Sequence, residues 1–141
     1  MGCLTNYVWN GIMSWFCCGN AWGPCGAAGY GACGTCDSGN YQCAWINISS
    51  ACLSETDPAA CGLSTPPQYG CGEYFYVTDR CTGKCVYVTI ADCGPCTSCV
   101  CNQSFTCGSY TKYNRQLDLT AAAFSAVDNL DNGLAVFRTD R

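Results

Sequence analysis

Histidine is absent from this chain of 141 residues, and its absence removes two kinds of chemistry. A serine nucleophile such as Ser14 needs a neighbouring general base, usually histidine, so a serine hydrolase is not expected. Zinc sites that combine cysteine with histidine are excluded as well. We expect no metal ion and no cofactor.

Charge is also scarce: charged residues make up 11% of the chain, with 6 Lys and Arg against 10 Asp and Glu and a net charge of -4. The cationic residues are scattered, so nucleic acid is not an expected partner. No apolar run reaches the length of a membrane span. Large uncharged surfaces would permit a homo-oligomer or a larger assembly.

Cysteine is present in excess, with 17 residues between Cys3 and Cys107. Such a fraction is typical of disulfide-bonded proteins of the oxidising exterior, so we predict a secreted, extracellular protein. Two-residue spacings such as those in Cys33–Cys36 and Cys93–Cys96 also fit a thiolate metal cluster, which the missing histidine disfavours. Because 17 is odd, one cysteine must be free, bonded to another molecule, or the product of a boundary of the chain.

Two tripeptides, beginning at Asn47 and Asn102, match the acceptor pattern for N-glycosylation. Together with the cysteines they favour a eukaryotic secretory route and predict a glycoprotein.

The length fits a single domain over residues 1–141, with a cysteine-rich N-terminal segment at 1–40. Alternating and β-branched patterns predict mostly strands, a Pro-containing loop at Ser54–Gly70 and a long cross-linked excursion at Asp92–Gln116. A helix is predicted over Ala121–Leu130, with Thr120 as its N-cap. The predicted strands are Gly11–Phe16, Tyr41–Ser50, Glu73–Thr78, Val86–Ile90 and Leu134–Arg138.

Two acidic residues stand in apolar runs: Asp92 follows Ile90-Ala91, and Asp118 lies between Leu117 and Leu119. An unpaired charge is costly to bury, so each acid is expected to have a structural partner or a chemical role. Desolvation at Asp118 would raise the pKa of its carboxyl group.

Four motifs, in order along the chain, resemble the barwin, expansin and loosenin group, which is related to family-45 endoglucanases and rare lipoprotein A. They are Met13-Ser14-Trp15-Phe16, Gly29-Tyr30-Gly31-Ala32-Cys33-Gly34, Cys71-Gly72, and the C-terminal set of Asp92-Cys93-Gly94-Pro95-Cys96 and Leu117-Asp118-Leu119 with the following helix and strand. Residues 71–138 match best. The resemblance implies a mainly β fold: a six-stranded double-psi β-barrel with one or two short helices and disulfide-rich loop insertions.

The resemblance also implies a polysaccharide groove floored by Asp92 and Asp118, with Ser14 and Trp15 beside them. In hydrolytic relatives the acid at the Asp118 position is the general acid, and a second carboxylate must assist it. Phe16 stands where family-45 enzymes place that second acid, and Asp37 is the nearest replacement. We also expect Tyr110 and Tyr113 to contact sugar rings, and Cys33, Cys71, Cys93 and Cys96 to form disulfides.

Structural roles remain open for these residues. Asp118 would cap the following helix or accept backbone amides where the barrel strands cross. Asp92 would belong to a locked turn beside Cys93 and Pro95, and the aromatic residues would pack beneath the cystine-rich loops.

Three functional hypotheses follow. The first is a protein that binds or loosens cell-wall polysaccharide (cellulose, chitin or a peptidoglycan-like glycan) without efficient hydrolysis. The second is a β-glycan hydrolase or transglycosylase with Asp118 as acid and Asp92 or Asp37 assisting. The third is an extracellular structural or defence protein that self-assembles.

Overall fold

The computed structural model describes residue 3 and residues 7–49, 61, 64–96, 101 and 103–141. They form eight strands, one helix and one 3₁₀ turn at Leu130–Asn132. The helix, α1, spans Ala121–Val127. The strands are β1 (Trp9–Phe16), β2 (Gln42–Trp45), β3 (Tyr74–Asp79), β4 (Cys85–Cys93), β5 (Ser104–Cys107), β6 (Tyr110–Tyr113), β7 (Arg115–Thr120) and β8 (Ala135–Thr139).

Six of the strands close into a barrel in the order β1-β7-β2-β4-β3-β8, and β5 and β6 form a separate hairpin. Strand β1 is parallel to β7 and β2 is parallel to β4, whereas the other neighbouring pairs in the barrel are antiparallel. The predicted fold class is confirmed: the protein is mainly β, with a closed six-stranded barrel and one short helix.

The barrel forms because apolar residues alternate along its strands, which places every second side chain inside. The interior is filled by large buried side chains, and α1 adds Phe124 and Val127 to the same cluster. The largest buried barrel side chains include Met13, Trp45, Phe75, Ile90, Leu117, Leu119 and Phe137.

Disulfide bonding of the cysteines is confirmed. Within the described part of the chain six pairs are joined: Cys3–Cys85, Cys17–Cys25, Cys18–Cys36, Cys33–Cys71, Cys61–Cys101 and Cys81–Cys107. Cys93 and Cys96 each take part in a disulfide bond as well. Cys33 and Cys36 bond to different partners, so their spacing does not mark a shared metal site.

Among the described residues, one cysteine is free, Cys43. It lies on β2 and is wholly buried in the barrel core. Burial raises the pKa of its thiol well above the usual value, and the nearby negative charge of Asp118 acts in the same direction. Among the described residues, Cys43 therefore fits the first alternative for the odd cysteine, a free thiol, and it is enclosed by the barrel.

Several predicted boundaries were wrong. The predicted excursion Asp92–Gln116 contains the β5–β6 hairpin, which the disulfide between Cys81 and Cys107 ties to the turn after β3. Helix α1 ends at Val127 rather than Leu130, because Asp128 adopts an extended conformation and the chain continues as the 3₁₀ turn. Part of the predicted loop Ser54–Gly70 lies outside the described residues.

In the part of the chain that the structure describes, no helix is long and apolar enough to cross a bilayer.

Candidate functional site

A row of side chains crosses four adjacent barrel strands. Ser14 on β1 pairs with Asp118 on β7, Asp118 pairs with Ala44 on β2, and Ala44 pairs with Asp92 on β4. Directly paired residues project from the same face of a sheet. Since their strand neighbours Met13, Leu119 and Cys43 fill the core, these four residues point outward. We call them the acidic row.

A bulge in β4 places Asp92 in this row. Ile90 pairs with Cys43 inside the barrel, yet Asp92, two residues later, pairs with Ala44, so Ala91 is an extra residue in β4. Strict alternation would point Asp92 into the core together with Ile90. The extra residue changes the alternation and turns Asp92 to the outer face.

Asp118 is largely enclosed, with 15% of its side chain exposed. The Ser14 hydroxyl donates a hydrogen bond to its Oδ1, and Arg115 Nε lies 3.8 Å from the same oxygen. Burial raises the pKa of the Asp118 carboxyl and the charge of Asp92 raises it further, whereas the Ser14 hydrogen bond and Arg115 lower it. The net shift is upward, which makes Asp118 a better proton holder than an exposed aspartate.

The helix-capping interpretation of Asp118 was wrong. The residue at the N-cap of α1 is Thr120, and its side chain makes no capping hydrogen bond. The Thr120 hydroxyl instead lies against the segment before β2, 2.6 Å from the carbonyl oxygen of Asn40. The Thr120 hydroxyl therefore bonds to the segment before β2 instead of capping the helix, as the sequence pattern predicted.

Asp92 anchors a loop. Its Oδ1 accepts hydrogen bonds from the backbone N–H of Ala32, at 2.9 Å, and of Cys93, at 2.8 Å. The loop passes so close to β4 that a Cβ on Gly31 would lie 2.8 Å from the carbonyl oxygen of Ala91, and Gly31 also has a positive φ of 76°. The structure therefore gives Asp92 a clear structural task at the edge of the site.

Phe16, at the position of the second acid in family-45 enzymes, and Asp37, its nearest replacement, both have structural contacts. Phe16 packs against the buried cluster of Cys18, Cys36 and Ala91. Asp37 belongs to a turn: its Oδ1 accepts from the backbone N–H of Gly39 at 3.1 Å, and its Oδ2 accepts from Asn20 Nδ2 at 3.0 Å.

Trp15 follows Ser14 on β1 and therefore projects to the opposite face of the strand. It packs against the core, and its Nε1 donates to the carbonyl oxygen of Leu130 at 2.9 Å. There it lines a cavity of about 830 Å³ together with residues from the end of α1, the 3₁₀ turn and the turn after β3.

Tyr110 and Tyr113 lie on the separate hairpin. The Arg80 guanidinium carbon stands 3.8 Å above the ring centre of Tyr110 and covers one face of that ring. Tyr113 is exposed beside Trp9, in a smaller cavity of about 250 Å³. The four residues predicted to bind polysaccharide are thus distributed over three places, and only Ser14 adjoins the two acids.

Sequence reasoning missed a strip of exposed tyrosines, Tyr74, Tyr76 and Tyr87, on the outer face of β3 and β4. They are 52%, 37% and 42% exposed, and the Tyr87 ring centre lies 5.0 Å from that of Tyr74 and 4.9 Å from that of Tyr76. The signal was the alternation of tyrosine with buried Phe75, Val77, Val86 and Val88. We call these three residues the tyrosine strip.

Of the two predicted glycosylation sites, Asn47 and Asn102, the structure describes only Asn47. Asn47 is almost fully buried, and its Nδ2 donates to the carbonyl oxygen of Pro66 at 2.8 Å. A glycan on that nitrogen would break this hydrogen bond. Asn102 lies outside the described residues.

The fold and the site define the class of protein: a disulfide-rich, closed six-stranded β-barrel with a partly enclosed acidic row on its outer face. Scans against family models and against curated proteins find no match. Among solved structures, the Streptomyces papain inhibitor (SPI) is similar at 18% identity and a TM-score of 0.48, over 96% of this chain and 97% of that one.

Proposed function

We propose that this protein is an extracellular polysaccharide-binding protein that acts in the manner of expansins and loosenins, without efficient hydrolysis. The observation that carries the proposal is the acidic row: one carboxyl group with a raised pKa, Asp118, is bonded to Ser14 on the outer face of the barrel. A carboxyl–hydroxyl pair of this kind suits the hydroxyl groups of a sugar chain, since it can both donate and accept hydrogen bonds.

Hydrolysis is disfavoured because glycosidic cleavage needs a second carboxylate as base or nucleophile. Asp92 is the nearest candidate, but its Oδ1 already accepts two backbone N–H groups that hold the Gly31 loop on β4. The Asp37 carboxylate is engaged in its own turn. One acid with a raised pKa, without a free partner, supports binding rather than turnover.

The tyrosine strip supports a sugar ligand from a second direction. Apolar faces of sugar rings stack on exposed aromatic rings. Strand β4 carries Tyr87 and, five residues further along, Asp92, and both side chains point outward. At about 3.3 Å per residue the two are roughly 16 Å apart, so the strip and the acidic row together span several sugar units of an extended chain.

The decisive experiment measures binding and product release on the same samples. Purified protein is incubated with insoluble cellulose, chitin and peptidoglycan, and the bound fraction and the released reducing ends are both measured. We expect binding to at least one polymer that Asp118→Asn weakens, with no reducing ends released above a protein-free control. If no polymer retains the protein, the proposal is wrong.

One observation favours a second function, a β-glycan hydrolase or transglycosylase. The raised pKa of Asp118 is the property that a general acid requires. Release of reducing ends by the wild-type protein, and its loss in Asp118→Asn, would establish this alternative.

A self-assembling structural or defence protein is the third candidate. The exposed, uncharged tyrosine strip would serve as a contact surface in such an assembly. A clean monomer in size-exclusion chromatography across a wide concentration range would eliminate it.

A further inference from the structure

A second pair of acids lies away from the acidic row, where the end of β3 meets the end of α1. Asp79 is wholly buried. Its Oδ1 accepts from the backbone N–H of Cys81 at 2.8 Å and of Thr82 at 3.2 Å, which shapes the turn between β3 and β4. Asp128 is the C-cap residue of α1.

The turn that Asp79 shapes contacts the end of α1 through the hydroxyl of Thr82, and a side-chain hydrogen bond joins Asp79 to Asp128. On the Asp128 side, Oδ1 accepts from the backbone N–H of Asn129 at 2.7 Å and from Asn132 Nδ2 at 2.8 Å. On the Asp79 side, Oδ2 is buried, and no N–H or O–H group of the described residues donates to it. Two ionised carboxylates would repel each other in this position, so a proton between them is the arrangement that satisfies both.

We propose that Asp79 and Asp128 share one proton and form a pH-sensitive latch that holds the β3–β4 turn against the end of α1. The Asp79 carboxylic acid donates to the Asp128 carboxylate. When the proton leaves, two negative charges face each other across the contact, and the turn is pushed away from the helix end.

The charged residues around Asp79 and Asp128 are Lys84, Arg80, Arg138 and Asp131. Lys84, in the same turn, favours the charged form of Asp128. Arg80 is placed over the ring of Tyr110, and Arg138 of β8 over that of Tyr7. On the 3₁₀ turn, the backbone N–H of Asp131 bonds to Asn129 Oδ1. Among the described residues, no group of three His, Cys, Asp or Glu side chains could hold a metal ion here.

The pKa values of the two groups agree with a proton that resides on Asp79. Burial and the hydrogen bond with Asp128 raise the pKa of Asp79 to about 8, against the lowering effect of the Cys81 and Thr82 backbone N–H groups. Burial acts to raise the pKa of Asp128, but hydrogen bonds from Asp79, Asn132 and the Asn129 backbone lower it overall. Asp79 therefore carries the proton at neutral pH.

The latch also divides two cavities. Thr82 and Asp128 line both the cavity of about 830 Å³ that contains Trp15 and a neighbouring one of about 340 Å³ that contains Phe105. One further bond crosses the partition, from the Thr82 hydroxyl to the carbonyl oxygen of Val127 at 2.7 Å. Release of the latch would join the cavities into one cleft, while the disulfide of Cys81 to Cys107 keeps the turn attached.

The effect on stability has a definite sign. Between the ordinary aspartate pKa, about 4, and a pH of about 8, the folded pair holds one proton and the unfolded pair holds none, so stability falls as pH rises. Below about pH 4 the unfolded pair binds two protons, so stability falls again as pH decreases through the lowered pKa of Asp128. The pair stabilises the fold most near pH 4.

The test compares wild type with Asp79→Asn. An asparagine amide at position 79 donates permanently to Asp128, and its oxygen still accepts from Cys81 and Thr82. We expect wild-type Tm to fall by roughly 5 °C from about pH 6 to about pH 9, and the variant to lose most of that decline. After correction for intrinsic exchange rates, amide protection at Cys81–Lys84 should fall about tenfold per pH unit above the Asp79 pKa in wild type only.

Asp128→Asn provides a second reading, because its amide donates to an ionised Asp79 and should also flatten the pH profile. Identical pH profiles for wild type and Asp79→Asn would overturn the proposal. A rise in wild-type Tm with calcium at about pH 9, absent in Asp79→Asn, would overturn it too, since the pair would then bind a cation rather than a proton.

Discussion

The hydroxyl of Ser14 donates to Oδ1 of Asp118 across the parallel strands β1 and β7, where the two residues are register partners. They are more than a hundred positions apart in the chain, and the parallel pairing alone brings them together. This contact joins the two elements that the proposed glycan site needs first: a hydroxyl group and a carboxyl group whose pKa is raised.

We expect Asp118→Asn to weaken polysaccharide binding while making the fold more stable at neutral pH. The Asp118 pKa is raised in the folded state, so its contribution to stability is full below the ordinary aspartate pKa and is lost as pH rises through the folded value. Asparagine removes the neutral-pH cost of a buried charge, and the loss of binding should be roughly tenfold or more. Thermal melts at about pH 5 and about pH 7.5, alongside binding isotherms, check both parts.

Ser14→Ala is the matched control for this prediction. It leaves the Asp118 carboxyl without the hydrogen bond that stabilises its charged form, so the pKa should rise further. A stability gain in Asp118→Asn without a change in binding would show that Asp118 does not contact the ligand.

Asp92→Ala should destabilise the protein by roughly 1–3 kcal/mol, because it removes the acceptor for the backbone N–H groups of Ala32 and Cys93. Asp92→Asn keeps an oxygen at that position and should retain most of the stability. Chemical denaturation measures both variants. If Asp92→Ala kept full stability, the anchoring role would be wrong.

Gly31→Ala should destabilise the same loop by roughly 1–3 kcal/mol, because a methyl group would collide with the carbonyl oxygen of Ala91 and the residue has a positive φ. Gly34→Ala is the control: Gly34 also has a positive φ, 78°, but nothing lies within 4 Å of the added carbon. The difference between the two variants in denaturant midpoint isolates the contact with β4. Equal midpoints would contradict it.

The thiol of Cys43 should be unreactive in the native protein, because it is buried in the core and burial raises its pKa. An alkylating reagent should label it only after denaturation, and peptide mapping by mass spectrometry identifies the labelled site. Rapid labelling of native protein at Cys43, or a dimer linked through it on a non-reducing gel, would contradict this prediction.

Alanine at Tyr74, Tyr76 or Tyr87 should weaken polysaccharide binding roughly two- to tenfold each, because each variant removes one exposed ring. Tyr30→Ala and Tyr41→Ala are controls, since both tyrosines lie outside the strip and are at least as exposed as its members. Binding isotherms and melting curves of all five variants separate loss of contact from loss of fold. Equal losses in the controls would remove the strip from the site.

Much of the barrel was predictable because its strands alternate in a simple way. The β-branched and aromatic runs located β1, β3, β4 and β8 within one to three residues, and Ala-rich composition located α1. Strand β7 and the β5–β6 hairpin were missed. Strand β7 has four polar residues among its six, and β5 and β6 are only four residues long each. The local residue pattern therefore does not predict β7 or the β5–β6 hairpin.

Part of the site was predictable too. Ser14, Asp92 and Asp118 were selected from motifs, and the structure brings all three to one row. Trp15 was grouped with them by its position in the same motif as Ser14, but neighbours on a strand point to opposite faces. Asp79 and Asp128 gave no sequence signal, because their contact depends on the turn after β3 meeting the end of α1.

By itself, the sequence determined the disulfide bonding, the mainly β fold and the identity of two outward acids, because composition and alternation act locally along the chain. Only the tertiary structure decided which way those acids point and what they contact. The extra residue Ala91 turned Asp92 outward, parallel pairing delivered Ser14 to Asp118, and barrel closure enclosed Cys43. Each depends on register between strands distant in sequence, which hydrogen bonding across the closed barrel specifies.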